Sequence, residues 1–425
     1  MCVCLLNSMF KAMQLFRRSR TWIALIFVCV LLFMFHLLTY VTEVQDTNSP
    51  SLWDRYTGHE WSSVQQCRDN FERKNKTGQW FWSSVFRNPC WRDEKGELGC
   101  VPYFFVLGFP KCGTTDLFER IKLHPGYVPP LFKEIHWITR YRFFPLRMNA
   151  DGHRVIQHVR DLHKGFNMYL KVFSPLTEIL KWCHDPYRAN VTTDVTSGTN
   201  PYTSCEDRIT GDFSPSTVWD TDLYMQLPEN RDMVVPQRTP GNFVYDMNPC
   251  AKLIIMLRNP VNRLYSDYLH FYENKSPQDF QDIVTTTIDL YKDCFQKWGV
   301  RPCVHRYYLE ATGKARLRLG IYYIYISDWL EKFPRDQFLF IRLEDYAVDT
   351  KRHLQDIFKY LELPSISEGL LDEMSTAAPK NTRRDRKEDI NAPPMLLETR
   401  QALEEFYAPY NKKLAILLND KRYEW

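Results

Sequence analysis

Glycine is scarce in this chain, and no segment of it repeats at a fixed period. Only 16 of the 425 residues are glycine, which argues against a collagen-like chain, and the lack of repeats argues against solenoids and propellers. Acidic residues are absent before Glu43, so the basic residues of the first 20 positions account for the whole formal net charge of +4. The rest of the chain carries equal numbers of acidic and basic side chains, 51 of each. That balance argues against nucleic acid as a partner.

Charged side chains are also absent from residues 21–41, a continuous apolar stretch. At about 1.5 Å per residue, an α-helix of this length spans roughly 30 Å, the thickness of a bilayer core. Basic residues precede the stretch and acidic residues follow it, which predicts a cytosolic tail at 1–20, a transmembrane anchor at 21–41 and a luminal chain beyond. A cleaved signal peptide is the alternative, but the stretch is long for one and no cleavage pattern follows it. The short, phenylalanine-rich span favours a single-pass type II protein of the Golgi membrane.

Cysteine pairs with the spacing of zinc ligands are absent as well, so no metal site is predicted. Nine of the 12 cysteines lie beyond the predicted anchor. An oxidising lumen allows disulfide bonds there, and the odd number leaves at least one thiol free. Cys90 and Cys100 bracket a turn-like segment and are predicted to close a small loop. The predicted glycosylation sites are Asn75, Asn190 and Asn274, the last weakened by the proline after its sequon.

Apolar runs alternate with helical patterns in the C-terminal three quarters of the chain. Continuous apolar runs are typical of strands buried on both faces of a parallel sheet, and they occur at 103–107 and 253–257. Residues 338–346 are predicted as a further strand. Helical spacing of apolar residues predicts helices at 116–124, 258–271, 322–333 and 353–363. This order predicts an α/β fold, with a mostly parallel sheet flanked by helices.

The same pattern sets the predicted domain organisation. Residues 42–100 are polar and rich in tryptophan, and they are interpreted as a luminal stem leading into a domain at 101–425. Residues from about 140 to 250 lack the strand–helix alternation. They are interpreted as an insertion over the top of the sheet, where α/β folds place substrate-binding loops.

The first predicted strand leads into GFPKCGTT, residues 108–115, and then into a predicted helix. Gly108 and Gly113 have the spacing of a phosphate-binding loop, but Thr114 stands where nucleoside triphosphatases have lysine. Glycine lets the backbone approach a ligand closely, and the N–H groups at a helix start hold phosphate. An ordinary strand–helix turn is the alternative. The residues predicted to bind the ligand are Lys111, Cys112, Gly113, Thr114 and Thr115.

The segment PKCGTT resembles the 5′-phosphosulfate loop of sulfotransferases, which use 3′-phosphoadenosine 5′-phosphosulfate (PAPS) as the sulfuryl donor. The second part of that family's signature is an arginine after a strand and a serine eight residues later, matched here by Arg258 and Ser266. The resemblance implies that this pair binds the 3′-phosphate, for which a guanidinium and a hydroxyl group are suited. The chain is similar to the family from about residue 103 to its C-terminus, which implies the P-loop-like sulfotransferase fold. Within the family it resembles the Golgi glycosaminoglycan sulfotransferases.

A basic run at 379–387, PKNTRRDRK, has the position of the loop by which membrane-bound members of this family close over the donor. The family's lysine–glycine–arginine order is not reproduced, and a solvated basic surface is the alternative. The resemblance implies donor contacts from Lys380, Asn381, Thr382, Arg383 and Arg384. We also expect Cys112, in a loop packed around the donor phosphate, to be the free luminal thiol, which leaves eight cysteines for up to four bridges.

The segment LFKEIHWITR resembles the Lys-Glu-x-His stretch of glycan O-sulfotransferases, whose glutamate deprotonates the acceptor hydroxyl. If the segment is extended, Glu134 and His136 share one face and Lys133 lies on the other. A sugar hydroxyl must lose its proton as the new S–O bond forms, so a positioned base is needed. Glu134 is favoured, and His136 stays open because cytosolic sulfotransferases use histidine. Lys111 is the predicted catalytic cation.

Cations and aromatic residues near the predicted base indicate an anionic sugar polymer as the acceptor. A solvated basic surface is the alternative. The resemblance extends this to Asp212-Phe213, which stands in the family's acceptor segment with phenylalanine in place of its lysine. The residues predicted to contact the acceptor are Lys133, Arg140, Arg142, Asp212 and Phe213.

The expected activity is sulfuryl transfer from PAPS, without a metal ion, to a glycosaminoglycan hydroxyl. The resemblance favours the 6-hydroxyl of N-acetylgalactosamine 4-sulfate in chondroitin or dermatan sulfate. Two alternatives remain at this point: a glycosyltransferase that binds a divalent cation through Asp220-Thr-Asp222, and an inactive membrane-tethered glycan-binding protein. A homo-oligomer is compatible with the sequence.

Overall fold

The computed structural model describes residues 67, 86–93, 95–143, 146–148, 154–156, 162–183, 204–272, 275–306, 308–382, 385 and 392–425. All of them belong to one compact unit, Tyr56–Trp425. The predicted cytosolic tail and membrane anchor, most of the stem, and Asn75, Asn190 and Asn274 lie outside the described residues. Among the residues that are described, no helix is both long and apolar enough to cross a membrane.

The elements are numbered here in chain order. The strands are β1 Cys90–Arg92, β2 Leu98–Cys100, β3 Phe104–Gly108, β4 Leu146–Met148, β5 Arg154–Ile156, β6 Gly211–Asp212, β7 Lys252–Leu257 and β8 Phe338–Arg342. The first α-helices are α1 Thr114–Ile121, α2 Leu162–Lys171, α3 Ser174–Cys183, α4 Pro240–Met247, α5 Pro260–Phe271 and α6 Pro277–Trp298. The remaining ones are α7 Val300–Val304, α8 Tyr308–Gly313, α9 Tyr322–Leu330, α10 Leu343–Val348, α11 Thr350–Tyr360, α12 Glu368–Thr376 and α13 Leu397–Leu418.

A parallel sheet with the strand order β6–β3–β7–β8 forms the centre of the domain. Every residue of β3 and β7 is buried, as their continuous apolar sequences predict. Helices follow β3, β7 and β8, so the parallel sheet flanked by helices that the sequence predicts is confirmed. The strands β3, β7 and β8 point the same way, which brings the loops after them to one edge of the sheet.

Two elements differ from the sequence-based expectation. The strand predicted at 338–346 ends at Arg342, because Leu343 begins helix α10 and turns its side chain toward the loop before α1. The segment predicted as an insertion also contributes β6, which pairs with β3 through Gly211 and Phe104. At only two residues, β6 is too short to give a period-2 signal in the sequence.

Disulfide bonds connect Cys67 with Cys250, Cys90 with Cys100, Cys183 with Cys205, and Cys294 with Cys303. The Cys90–Cys100 bond joins the ends of the β1–β2 hairpin, which confirms the predicted small loop. Within the described part of the chain Cys112 is the free cysteine, and it is buried. The prediction that Cys112 stays unpaired while eight cysteines form four bridges is therefore confirmed.

Candidate active site

The loop between β3 and α1 forms the first wall of the site. Gly113 precedes α1 with φ at 89°, in the left-handed region. A Cβ atom at Gly113 would lie 2.7 Å from Cδ1 of Leu343, so both the backbone conformation and the available space require glycine. Because glycine offers no side-chain cap, the first N–H groups of α1 are left for a ligand, and anions bind such helix starts.

The loop between β7 and α5 forms the second wall. Asn259 caps α5 by accepting hydrogen bonds from the N–H groups of Val261 and Asn262, which fixes the start of the helix directly after Arg258. Arg258 donates from Nη1 to the carbonyl oxygen of Lys111 at 3.1 Å, so the two parts of the predicted donor signature are hydrogen-bonded to each other. Burial lowers the pKa of Arg258 from its ordinary value.

Both loops open into one cavity of about 590 Å³ at the edge of the sheet. Its predicted lining residues are Lys111, Gly113, Thr114, Thr115, Glu134, Arg258, Ser266, Lys380, Asn381 and Thr382. Further polar residues line it that were not predicted from the sequence, namely Asp116, Arg120, Asn262, Tyr265, His270, Tyr346, Thr350 and Arg400. The structure therefore joins the donor loop, the arginine–serine pair, the candidate base and the start of the basic run in one place.

Glu134 enters this cavity from the segment that follows α1. Its Oε1 atom forms an ion pair with Lys133, and its Oε2 atom lies 3.5 Å from Nε2 of His136. The hydrogen bond with His136, and then the charge of Lys133, lower the pKa of Glu134 to about 2, although partial burial acts in the opposite direction. Glu134 is therefore a carboxylate at neutral pH and able to accept a proton.

The segment around Glu134 and His136 is not extended, and an extended segment is the case in which strand alternation would have placed the two on one face. Glu134 and His136 have φ values of 62° and 47°, both in the left-handed region that non-glycine residues rarely occupy. Their side chains meet because of these two turns in the backbone and not because of strand alternation. Unusual backbone conformations of this kind concentrate at functional sites, where the surrounding structure enforces them.

Two serine side chains of the segment 212–217 are within hydrogen-bonding distance of His136. Nδ1 of His136 lies 2.7 Å from Oγ of Ser216, and the backbone N–H of His136 donates to Oγ of Ser214 at 2.9 Å. Ser214 in turn donates to Oδ1 of Asp212 at 2.5 Å. His136 itself does not line the cavity but acts on Glu134, which does.

Two of the predicted acceptor residues lie in the interior. Asp212 is buried in β6 and accepts hydrogen bonds from Ser214 and Tyr169. Phe213 is fully buried against Phe104 and Phe118. The predicted acceptor contacts at these positions are corrected accordingly: Asp212 supports the segment of the candidate base, and Phe213 packs in the core.

The predicted basic acceptor cluster is also largely occupied by contacts within the protein. Lys133 pairs with Glu134, and Arg140 donates from Nε to Oδ2 of Asp220 at 2.7 Å. Arg142 is buried, and its guanidinium lies 4.0 Å from the ring centroid of Phe243. Burial lowers the pKa of Arg142, and its role is packing instead of the predicted acceptor contact.

Cys112, predicted to be a donor-binding residue, has a fully buried side chain that does not line the cavity. Burial raises the pKa of its thiol to about 12, so the side chain is uncharged at neutral pH. Arg383 and Arg384 lie outside the described residues. Thr382, beside them, donates from its backbone N–H to Oδ2 of Asp385 at 2.6 Å.

The Asp220-Thr-Asp222 triplet has arginine partners. Arg140 binds Asp220, and Arg318 binds both oxygens of Asp222 at 3.0 and 3.1 Å. Oγ1 of Thr221 lies 3.1 Å from Nδ1 of His305. In a glycosyltransferase the two carboxylates would bind a metal ion. Here both are bound by arginine side chains, so the triplet connects parts of the fold. Among the described residues, no cluster of three or more His, Cys, Asp and Glu side chains could hold a metal ion.

Comparison with known proteins agrees with this arrangement. Residues 102–393 match the family model described as "Sulfotransferase domain". The chain belongs to the sulfotransferase family. Carbohydrate sulfotransferase 15 of Mus musculus is 37% identical over 330 residues, covering 77% of this chain and 55% of that protein. The Homo sapiens protein of the same name is 34% identical over 382 residues, covering 90% of this chain and 63% of that protein.

A heparan sulfate glucosamine 3-O-sulfotransferase 5 of Homo sapiens is 30% identical over 265 residues, covering 62% of this chain and 54% of that protein. The chain thus spans only 54% to 63% of the length of these curated relatives. The family resemblance predicted from the sequence is confirmed. Asn262 could have been predicted too, since it lies one helical turn before Ser266 on α5. Arg400 carries no such local signal.

Proposed function

We propose that this chain transfers a sulfuryl group from PAPS to a hydroxyl group of a glycosaminoglycan. The observation that carries the proposal is the single cavity lined by the donor loop, the Arg258–Ser266 pair and Glu134. Its volume of about 590 Å³ lies within the usual range of small-molecule sites, roughly 300–1,000 Å³. The test is transfer of labelled sulfate from PAPS to a panel of chondroitin, dermatan and heparan acceptors.

The residues of the cavity suit the donor. Lys111, Gly113, Thr114 and Thr115 all line the same cavity, and a lysine, two hydroxyl groups and a helix start are suited to bind an anion there. Arg258, just before α5, and Ser266 on α5 supply a second, separate set of donors for the 3′-phosphate, and Asn262 at the start of α5 also lines the cavity. The donor supplies the sulfuryl group, and the protein supplies the positions and charges around it.

The residues then have distinct roles in the transfer. The acceptor oxygen forms a bond to sulfur, the bond between sulfur and the phosphate oxygen breaks, and 3′-phosphoadenosine 5′-phosphate leaves. Lys111 stabilises the negative charge that grows on the departing phosphate, and Glu134 takes the proton of the acceptor hydroxyl. His136 and Lys133 orient the Glu134 carboxylate. Catalysis by position and charge of this kind resembles phosphoryl transfer.

The proposed location is the Golgi lumen, with residues 1–20 in the cytosol, an anchor at 21–41 and a stem at 42–100. Four disulfide bonds in the described domain support an oxidising compartment. Protease digestion of sealed microsomes should leave the domain intact and remove only the N-terminal tail. Digestion of the domain in sealed vesicles would contradict this orientation.

Replacement of Arg258 or Ser266 by alanine is expected to raise the Michaelis constant for PAPS more than it lowers kcat. Each change removes a contact to the donor at a distance from the reacting sulfur, so loss of a charge-assisted bond costs about 1.5–3 kcal/mol of binding. Initial rates over a range of PAPS concentrations measure the effect. An unchanged Michaelis constant in both variants would contradict the assignment of the 3′-phosphate.

We further propose that the acceptor is the 6-hydroxyl of N-acetylgalactosamine 4-sulfate, as the family resemblance favours. Activity should then be higher on chondroitin 4-sulfate than on unsulfated chondroitin. It should fall as salt rises from about 0.05 to about 0.5 M, because screening weakens contacts with an anionic polymer. Parallel assays on the two polymers test this, and equal rates at every salt concentration would reject the acceptor while leaving the donor assignment intact.

A further inference from the structure

Two charged side chains on α1 are buried beside the donor cavity. Asp116 and Arg120 are 7% and 4% exposed, and they form a two-bond ion pair in which Nε lies 2.7 Å from Oδ2 and Nη2 lies 3.2 Å from Oδ1. Burial of two charges is costly unless the pair makes further hydrogen bonds. Apart from a hydrogen bond from Tyr346, those further bonds all join the pair to residues 374–380, at the end of α12 and just beyond it.

Arg120 binds the end of α12 through its remaining N–H groups. Nη1 donates to the carbonyl oxygens of Met374 and Ser375, the latter at 3.1 Å, and Nη2 donates to that of Ala377 at 2.9 Å. The last carbonyl groups of a helix lack partners within it, so the guanidinium acts as a cap for α12. It thereby fixes the point at which the chain leaves α12 for the cavity.

Asp116 binds the chain a few residues later. Its Oδ1 atom accepts the backbone N–H of Lys380 at 2.9 Å, and its Oδ2 atom accepts the hydroxyl of Tyr346 at 2.8 Å. Residues 377–382, here called the strap, are therefore bound at Ala377 and at Lys380 by one ion pair on α1, the helix that follows the donor loop. Lys380, Asn381 and Thr382 of the strap line the cavity.

We propose that Asp116 and Arg120 are positioning residues that hold the strap over the bound donor, so that Lys380 meets its phosphate groups. The inference rests on the proposed function. The ion pair would act through Lys380 and not by contact with the donor, since the hydrogen bonds of both side chains are directed at the strap, at Tyr346 and at each other. This arrangement couples α1, the helix that follows the donor loop, to the strap that lines the cavity.

The test is a double-mutant cycle with 3′-phosphoadenosine 5′-phosphate as the probe, measured by titration calorimetry on the full chain. Arg120→Lys keeps the positive charge but loses the several N–H donors of the guanidinium group. It should weaken binding of the probe by about tenfold. Asp116→Asn should weaken it by about threefold, since the amide keeps one acceptor atom. In a Lys380→Ala background each change should alter affinity less than about twofold, because residues that act through one contact are not additive.

Steady-state kinetics give a second readout. Both variants should raise the Michaelis constant for PAPS and leave kcat at saturating donor within about twofold, as loss of donor binding predicts. Asp372→Asn is the matched control, because Asp372 lies on α12 but pairs with Lys351 at 57% side-chain exposure. It should bind the probe as the unmodified protein does.

Two results would overturn the inference. One is an equal loss of affinity from Arg120→Lys with and without Lys380, and the other is unchanged affinity in both single variants. If Arg120→Lys does not yield a folded protein by thermal unfolding, Asp116→Asn carries the same cycle. Failure of the unmodified protein to bind the probe would instead contradict the proposed function, so the two failures are distinguishable.

Discussion

Replacing Lys111 with alanine is expected to lower kcat for sulfuryl transfer by about 10²–10³-fold, the usual effect of removing one electrostatic contact to a transition state. Lys111 lines the cavity two residues before Gly113, and its carbonyl oxygen is bound by Arg258. Lys111 therefore lies in the loop directly before the helix start where the phosphosulfate would bind. Transfer of labelled sulfate at saturating PAPS and acceptor measures the change.

Two further variants make this result specific. Lys111→Arg keeps a positive charge and should retain more activity than Lys111→Ala. Lys122→Ala removes a lysine at the far end of α1, where it pairs with Glu119 on the surface, and it should leave the rate unchanged. If Lys111→Ala keeps more than half of the activity, the donor loop is wrongly assigned.

Sequence patterns predicted the centre of the fold because its strands are buried on both faces. The runs at β3 and β7 are apolar at nearly every position, which leaves little choice of structure. The end of β8 was harder to predict, since Leu343 is another apolar residue close to the strand but starts α10 and packs against Gly113. Leu343 contacts Gly113, which lies far earlier in the chain, and local sequence does not contain that contact.

The site residues also fall into two groups, those that local sequence predicts and those that it does not. Lys111, Gly113 and Arg258 stand in short motifs whose chemistry depends on neighbours in sequence, and the structure brings them together in one cavity. Arg140 and Arg142 show only their charge in the sequence, whereas their partners Asp220 and Phe243 come about 80 and 100 residues later. The sequence alone therefore does not show whether an arginine contacts the acceptor or binds another part of the protein. That depends on partners that only the fold brings close.

Glu134→Gln is expected to lower kcat by about 10²–10⁴-fold, because an amide cannot take the proton of the acceptor hydroxyl. His136→Asn should lose less, about tenfold, since Glu134 stays in the cavity and only its orientation suffers. Asparagine is chosen because it tolerates the φ of 47° at this position. Transfer rates at saturating substrates distinguish the two residues, and a larger loss in His136→Asn would make histidine the base.

The pH dependence of the rate gives an independent check on Glu134. Its pKa is lowered to about 2 from an ordinary value of 4.5, so the carboxylate stays charged as pH falls and is protonated only near the lower value. Between about pH 7 and about pH 4, protonation of Glu134 should therefore not slow the unmodified enzyme. In His136→Asn the main cause of the low pKa is gone, so an acid limb in kcat should move up toward pH 4.5. Far-UV circular dichroism at each pH checks that the acid limb does not come from unfolding. An acid limb at the same pH in both proteins would show that the His136–Glu134 contact does not set the charge of the base.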